Sequence, residues 1–255
     1  MIKKIYKRKA DKVQEDYLNK NNIEKITFFT GAGISKESGL STFRDEDGLW
    51  NNYSINEIAT ADALKHNFEV VNKFYNERRQ EIIKANPNNA HLAIKDFSNK
   101  YNVSIITQNV DDLHERAGSE NIIHLHGEIM KSRPIANSKI FYPQKNDIKI
   151  GDRCIVTNSQ LRPHIVLFGE NLDEELYNKA KKEIRQSSIV VVIGTSLQVN
   201  PANYLVTEAS FKSKLFIIDP NHIELSYIQK FYSEVVHIKE VASKGIEQLK
   251  SIILF

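Results

Sequence analysis

Cysteine is all but missing from this chain: Cys154 is the only one. A single thiol closes no internal disulfide and cannot supply the four-thiolate cage of a structural zinc. Set between Gly151-Asp152-Arg153 and Ile155-Val156, it reads as an ordinary half-buried thiol rather than a nucleophile. No apolar stretch reaches the length of a membrane span, and the basic cluster Lys3, Lys4, Lys7, Arg8 and Lys9 is not followed by an apolar signal region. A cytoplasmic protein with no membrane partner is expected. An excess of one charge is lacking too, with 35 basic residues against 32 acidic ones and a formal charge of +3. That balance argues against a nucleic-acid partner and makes the basic cluster a solvated face or a mobile N-terminus.

What is present is a globular composition, 41% hydrophobic and 26% charged over 255 residues, enough for one domain with an insertion or two modest lobes. The chain is organised around an apolar run of strand length, Ile23 to Thr30, that ends at Gly31-Ala32-Gly33. Glycine there allows a tight turn and a close approach to a diphosphate at a helix N-terminus, which suggests a dinucleotide site. The third glycine of the usual fingerprint is absent and Gly39 falls at another spacing, so a purely structural turn stays open on this stretch alone.

In chain order, residues 5 to 22 have helical apolar spacing, and Ala59 to Lys84 reads as one helix with Phe68, Val71, Phe74, Tyr75 and Ile82 on its apolar face. A further helix is expected over Ala90 to Phe97 and a strand over Val103 to Thr107. From Met130 to Gln160 the chain is polar and irregular, with short strands expected at Ile140-Phe141-Tyr142 and Cys154-Ile155-Val156. A strand over His164 to Phe168, an amphipathic helix over Glu174 to Arg185, and buried strands at Ile189 to Ile193 and Leu215 to Ile218 follow. Strands alternating with helices on this scale indicate a doubly wound α/β sheet.

Polar clusters fall at the ends of these strands: Gly31-Ala32-Gly33, Gln108-Asn109 with Asp111, Gly194-Thr195-Ser196, and Asp219. Any one could be a cap or a turn, but four together point to a ligand at the carboxyl edge of the sheet. Asp219 suits ribose hydroxyls. His124 and His126 are expected to project to opposite sides, which speaks against a shared metal, and His126 beside Gly127 suits general-base work on a hydroxyl.

With these blocks assembled the chain resembles the sirtuin family of NAD-dependent protein deacylases. The matching segments are Gly31-Ala32-Gly33-Ile34-Ser35, Thr42-Phe43-Arg44-Asp45 with Gly48-Leu49-Trp50, Thr107-Gln108-Asn109-Val110-Asp111, His124-Leu125-His126-Gly127, Arg162-Pro163-His164 through Phe168-Gly169-Glu170, and Gly194-Thr195-Ser196-Leu197, in the family's order. The resemblance implies a single catalytic domain over 1–255. Its fold would be α/β, with a Rossmann-like, mainly parallel sheet in a large NAD-binding lobe (about 1–35, 91–126 and 161–255) and a smaller inserted lobe (about 36–90 and 127–160). Many sirtuins hold the small lobe with zinc on two Cys-x-x-Cys pairs. Only Cys154 stands where those pairs would fall, so no structural zinc is expected, and Ile129, Ile135, Ile140, Phe141, Tyr142, Ile148, Ile150 and Ile155 are left to pack the lobe.

For the site, the resemblance implies that Gly31, Ala32, Gly33 and Ser35 cradle the diphosphate of NAD, consumed as co-substrate, and that Thr42, Phe43, Arg44 and Asp45, with Trp50, cover it. Gln108 would meet the nicotinamide ribose. Asn109 and Asp111 would hold the carboxamide, and Gly194, Thr195, Ser196, Asp219 and Ala242 the adenosine end, although the family usually has asparagine where Asp219 stands. His126 would act as base while an acyl group passes from a lysine to ADP-ribose. An acylated-lysine protein or peptide would pair as a strand between Gly169-Glu170-Asn171 and Gln198-Val199-Asn200, its acyl tunnel lined by Val166 and Phe168. The family's related activities, NAD hydrolysis and ADP-ribosyl transfer, stay open, as does an NAD-sensing module. Tyr75 and Arg78, three apart on one helix face, resemble the bacterial class III subgroup that takes succinyl and malonyl lysine.

Overall fold

The computed structural model describes residues 23–42 and 53–253. The helix expected over 5 to 22 lies outside them, as do Phe43, Arg44, Asp45 and Trp50. Strand β1 (Lys25–Thr30) is followed by two short 3-10 turns, Ala32–Ile34 and Lys36–Ser38, the second closed by Gly39 at φ 84°. No α-helix opens directly on the Gly-x-Gly. Helices α1 (Ile55–Ile58), α2 (Ala61–His66), α3 (Phe68–Lys84) and α4 (Asn89–Phe97) precede β2 (Asn102–Thr107), α5 (Leu113–Arg116), β3 (Ile122–His124) and β4 (Gly127–Pro134). Then come β5 (Tyr142–Pro143), β6 (Leu161–Ile165), α6 (Glu174–Arg185), β7 (Ile189–Ile193), β8 (Lys214–Ile218), α7 (Ser226–Gln229), β9 (Glu234–Ile238) and α8 (Ala242–Ile253).

Six strands form one parallel sheet in the order β3-β2-β1-β7-β8-β9. Its central strands are apolar on both faces because both are covered. Phe28 and Val191 pack with Ile94, Phe97 and Leu249 on the α4 and α8 side, whereas Phe29, Val190 and Val192 pack with Ile184 and Leu205 on the α6 side. The chain leaves β1 toward β2 on one side and reaches β7 on the other, so strand order reverses between β1 and β7, where open α/β sheets form a ligand crevice.

A second sheet, β5-β4-β6, is antiparallel. The strand expected over His164 to Phe168 is instead Leu161–Ile165 and pairs here with β4. Between this sheet and helices α1 to α3 lies a third apolar cluster, with Leu40, Ile58, Val71, Phe74, Tyr75, Ile129, Ile165 and Leu167.

The single helix expected over Ala59 to Lys84 starts only at Ala61 and is interrupted at Asn67, whose φ of −141° and ψ of 45° are not helical. Its start is displaced because the backbone there bonds sideways. Phe168 N–H donates to Ala59 O and Ala61 N–H to Phe168 O, each at 2.8 Å, after which the Thr60 side chain caps α2 through Ala63 N–H. The strand expected at Cys154-Ile155-Val156 is a turn closed on itself, with Cys154 N–H donating to Ser159 O and Asn158 N–H to Cys154 O. Only Tyr142 of the Ile140-Phe141-Tyr142 run enters a strand.

The small lobe is also held differently from the apolar packing expected. Ile129 and Ile148 are buried, but Ile135, Phe141, Ile150 and Ile155 are 50%, 50%, 65% and 91% exposed. In their place α3 turns a polar face to the segment 146–148. Asn72 and Asn76 both donate to Ile148 O, Ile148 N–H returns a bond to Asn76 Oδ1 at 3.0 Å, and Arg79 Nε donates to Ile129 O at 2.9 Å. Arg79 is fully buried, so these bonds form away from competing water. Among the described residues no group of three or more His, Cys, Asp or Glu side chains is placed to hold a metal ion, and no helix is long and apolar enough to cross a membrane.

Candidate active site

At the crevice the turns after β1 and β7 interlock. Gly31 N–H donates to Ile193 O and Gly33 N–H to Gly194 O, at 3.0 and 2.9 Å. A Cβ on Gly33 would lie 2.7 Å from Gly194 Cα, and one on Gly194, which has φ 64°, would lie 2.4 Å from Ile34 N. Backbone meets backbone here, so both glycines are required sterically. The cleft above has a volume of about 800 Å³ and is lined by Ala32, Gly33, Ser35 and Thr42 from the β1 side and by Gly194, Thr195 and Ser196 from the β7 side. Gly31 lies beneath its floor, against Thr195 and Gln108.

From the end of β2, Gln108 Oε1 accepts from Thr195 Oγ1 at 2.9 Å, while its buried Nε2 has no partner among the described residues. Asn109 Nδ2 donates to Gly31 O and Ser35 Oγ, both at 3.2 Å. Ser35 in turn donates to Asp111 Oδ2 at 3.0 Å, and Leu113 N–H donates to Oδ1. Burial pushes the Asp111 carboxyl above the ordinary carboxylate value, against these bonds and the nearby positive charge of His124 and Arg78.

His126 and His124 are indeed separated, but not by strand alternation, which puts residues two apart on the same face. Strand β3 ends at His124, and His126 stands in the turn that follows. Its Nδ1 lies 3.0 Å from Gln108 O; a carbonyl only accepts, so Nδ1 carries the proton and Nε2 keeps its lone pair. Val166 N–H donates to His126 O, and His126 lines the cleft. Burial lowers its pKa, partly offset by the Gln108 bond, so the ring is neutral at pH 7. His124 is buried with both nitrogens against acceptors, Asn109 O at 3.0 Å and Glu115 Oε1 at 2.7 Å. Burial opposes its charge, but Glu115 and Glu128 outweigh burial and raise its pKa. His91 and His114 form a separate buried pair with rings 4.9 Å apart, and burial pushes both pKa values down.

On the far side of the cleft, α3 presents Tyr75, Arg78 and Ile82, and the chain after β6 presents Val166, Leu167, Phe168, Gly169 and Glu170. Tyr75 and Arg78 are only 6% and 8% exposed. Arg78 is therefore not the solvated partner of an amphipathic helix. Phe168 is half exposed at the cleft's mouth. The Glu170 carboxylate is taken up by Arg162, Arg133 and Leu167 N–H, an ion cluster that ties the end of this segment to β4 and β6. Val199, in the chain after β7, and Asp219 and Ala242, after β8 and at the start of α8, also line the cleft.

Glu37 and Asn221 are among the cleft residues not singled out from the sequence. Glu37 accepts from Ser243 N–H and Oγ, joining the glycine turn to the start of α8, and Asn221 donates twice to Asp219 Oδ1. The turn-forming Asp219-Pro220-Asn221 was a signal for the second; Glu37 carried none.

The profile of the Sir2 family matches residues 31–201. The chain is 47% identical over 192 residues to an NAD-dependent protein deacylase of Aggregatibacter actinomycetemcomitans, covering 75% of this chain and 91% of that one. It is 38% identical over 239 residues to another from Bacteroides thetaiotaomicron, covering 91% and 99%. A crystal structure of a Sir2 homologue in complex with NAD superposes with a TM-score of 0.79 at 33% identity, covering 94% of this chain and 93% of that one.

Proposed function

The chain belongs to the Sir2 family, and on that premise we propose that it is an NAD-dependent protein-lysine deacylase that releases nicotinamide and O-acyl-ADP-ribose. The observation that carries this reading is the convergence, in one cleft, of the interlocked Gly33 and Gly194 turns, the unpartnered Gln108 Nε2, the Asn109-Ser35-Asp111 chain and the neutral His126. Close backbone approach fits a diphosphate, and a buried amide donor without a partner fits a ribose hydroxyl. Bound as co-substrate, NAD supplies an activated ribose carbon that loses nicotinamide and accepts the acyl oxygen.

In this assignment Asn109 and Asp111 hold the carboxamide, and Thr195, Ser196, Asp219 and Ala242 the adenosine end. His126 Nε2 takes a proton from a ribose hydroxyl, and Gln108 O fixes the tautomer that makes Nε2 the base. The six-stranded part is the NAD-binding lobe. The antiparallel sheet with α1 to α3 forms the smaller lobe, and the acylated peptide lies between Gly169-Glu170 and Val199.

The acyl pocket is the Tyr75 and Arg78 wall, and its chemistry favours acyl chains that end in a carboxylate. A buried carboxylate needs a fixed charge partner, and guanidinium supplies one with a planar fork. The enzyme is accordingly a desuccinylase and demalonylase as well as a deacetylase.

The test follows nicotinamide release with and without an acylated peptide. Release that requires the peptide, with acyl transfer lost in His126→Ala, is the expected result. Release that is independent of peptide and undiminished in His126→Ala would replace deacylation with NAD hydrolysis.

A further inference from the structure

Glu81 lies one turn beyond Arg78 on α3, and its Oε2 accepts from Arg78 Nη1 at 2.9 Å. The other terminal nitrogen of that guanidinium, Nη2, donates to Ser41 O at 2.9 Å. The arginine at the cleft wall therefore already holds a carboxylate of its own chain. Arg79, its neighbour, is engaged elsewhere, on Ile129 O and Asn76 Oδ1. Glu81 itself does not line the cleft, and its side chain is 41% exposed.

We propose that Glu81 is a specificity-determining residue, acting through Arg78, that sets how strongly the cleft prefers an acidic acyl chain to a neutral one. The proposal rests on the reading that Arg78 receives the acyl terminus. A succinyl or malonyl carboxylate reaching Arg78 must share the guanidinium with Glu81, placing two anions side by side, or displace Glu81 into solvent. Exposure leaves the second route open, but the exchange trades one ion pair for another and gains less than pairing with a free arginine. An acetyl group brings no charge and meets a wall whose charges already cancel. The pair thus keeps the pocket open to both acyl classes and holds the acidic preference below what Arg78 alone would give.

The experiment measures kcat and KM on acetyl-lysine and succinyl-lysine forms of one peptide for the wild type, Glu81→Gln, Arg78→Met and the double variant. Glutamine keeps the length and an acceptor for Nη1 and removes only the charge. In Glu81→Gln the ratio of desuccinylation to deacetylation kcat/KM is expected to rise about 1.5-fold to fivefold, the scale of one partly exposed ion pair, mainly through KM. In the Arg78→Met background Glu81→Gln should leave that ratio unchanged. A ratio that falls in Glu81→Gln would make Glu81 an orienting partner of Arg78 and overturn the proposal. If Arg78→Met lowers desuccinylation selectively while Glu81→Gln leaves the ratio unchanged, the acyl-pocket reading stands and the role of Glu81 falls. Equal losses on both substrates in Arg78→Met would remove that reading and this proposal with it.

Discussion

Ser35 Oγ donates a hydrogen bond to Asp111 Oδ2 at 3.0 Å, joining the turn after β1 to the segment after β2. The acceptor is a buried carboxyl whose pKa burial raises above 3.8. Because the folded pKa exceeds the unfolded one, the stabilisation from this group is fully present below the unfolded pKa and is lost as pH rises through the folded pKa. Asp111→Asn removes that slope. Urea titrations should show the variant gaining on the wild type between acidic and neutral pH, with NAD binding weakened. A variant that loses ground at neutral pH would mean that the ionised carboxylate supports the fold.

His126 is neutral at pH 7 because burial lowers its pKa. The acid limb of kcat/KM should therefore fall at a pH below 6.5, the value of an unperturbed histidine. His126→Ala should reduce deacylation by about 10²- to 10⁴-fold, the range of a lost general base. A pH-rate profile of the wild type and single-turnover product analysis of the variant check the two halves separately.

Gly33→Ala forces a Cβ to within 2.7 Å of Gly194 Cα, with backbone on both sides. Destabilisation of about 1 to 3 kcal/mol and loss of NAD binding are expected. Gly39→Ala is the contrast: its φ of 84° carries a strain of about 1 to 2 kcal/mol, but no atom lies within 4 Å of the new Cβ. NAD affinity should survive it, as calorimetry would show.

Asn76→Ala removes the amide that bonds Ile148 in both directions and also accepts from Arg79. Stability should fall by about 1 to 3 kcal/mol, the cost of leaving buried polar groups without partners. Chemical denaturation measures it; a change within a few tenths would show that the segment 146–148 is held by something else.

Arg78→Met should depress desuccinylation by about 2 to 5 kcal/mol in transition-state terms, the cost of truncating one partner of a buried charge pair, and deacetylation far less. Paired kcat/KM values on the two acyl peptides decide it.

The parallel sheet was legible because β1, β7 and β8 are continuous apolar runs, the mark of strands covered on both faces. The strand-end clusters were legible for the same reason: once the strands are placed, their carboxyl ends are too. The displaced start of the helix expected from Ala59 was not, since it is made by backbone bonds to Phe168, more than a hundred residues away, and no local signal carries that. The small lobe misled in the opposite sense. Asn72, Asn76 and Arg79 look like the wet side of an amphipathic helix, yet Asn72 and Arg79 are buried and Asn76 is half-buried against the segment 146–148, while Ile155 looks like core and is 91% exposed. His126 was placed at the cleft for a wrong reason, since the end of β3 rather than the pleat separates it from His124.

Because Ile148 is tethered to α3 by side-chain amides rather than by a neighbouring strand, its main-chain hydrogen exchanges with solvent only when Asn76 lets go. The same helix carries Tyr75 one residue before Asn76 and Arg78 two residues after it. Anything that stiffens α3 from the cleft side should therefore slow deuterium uptake at Ile148. Its protection factor is then expected to report whether a ligand sits against Tyr75 and Arg78, with no turnover and no co-substrate needed.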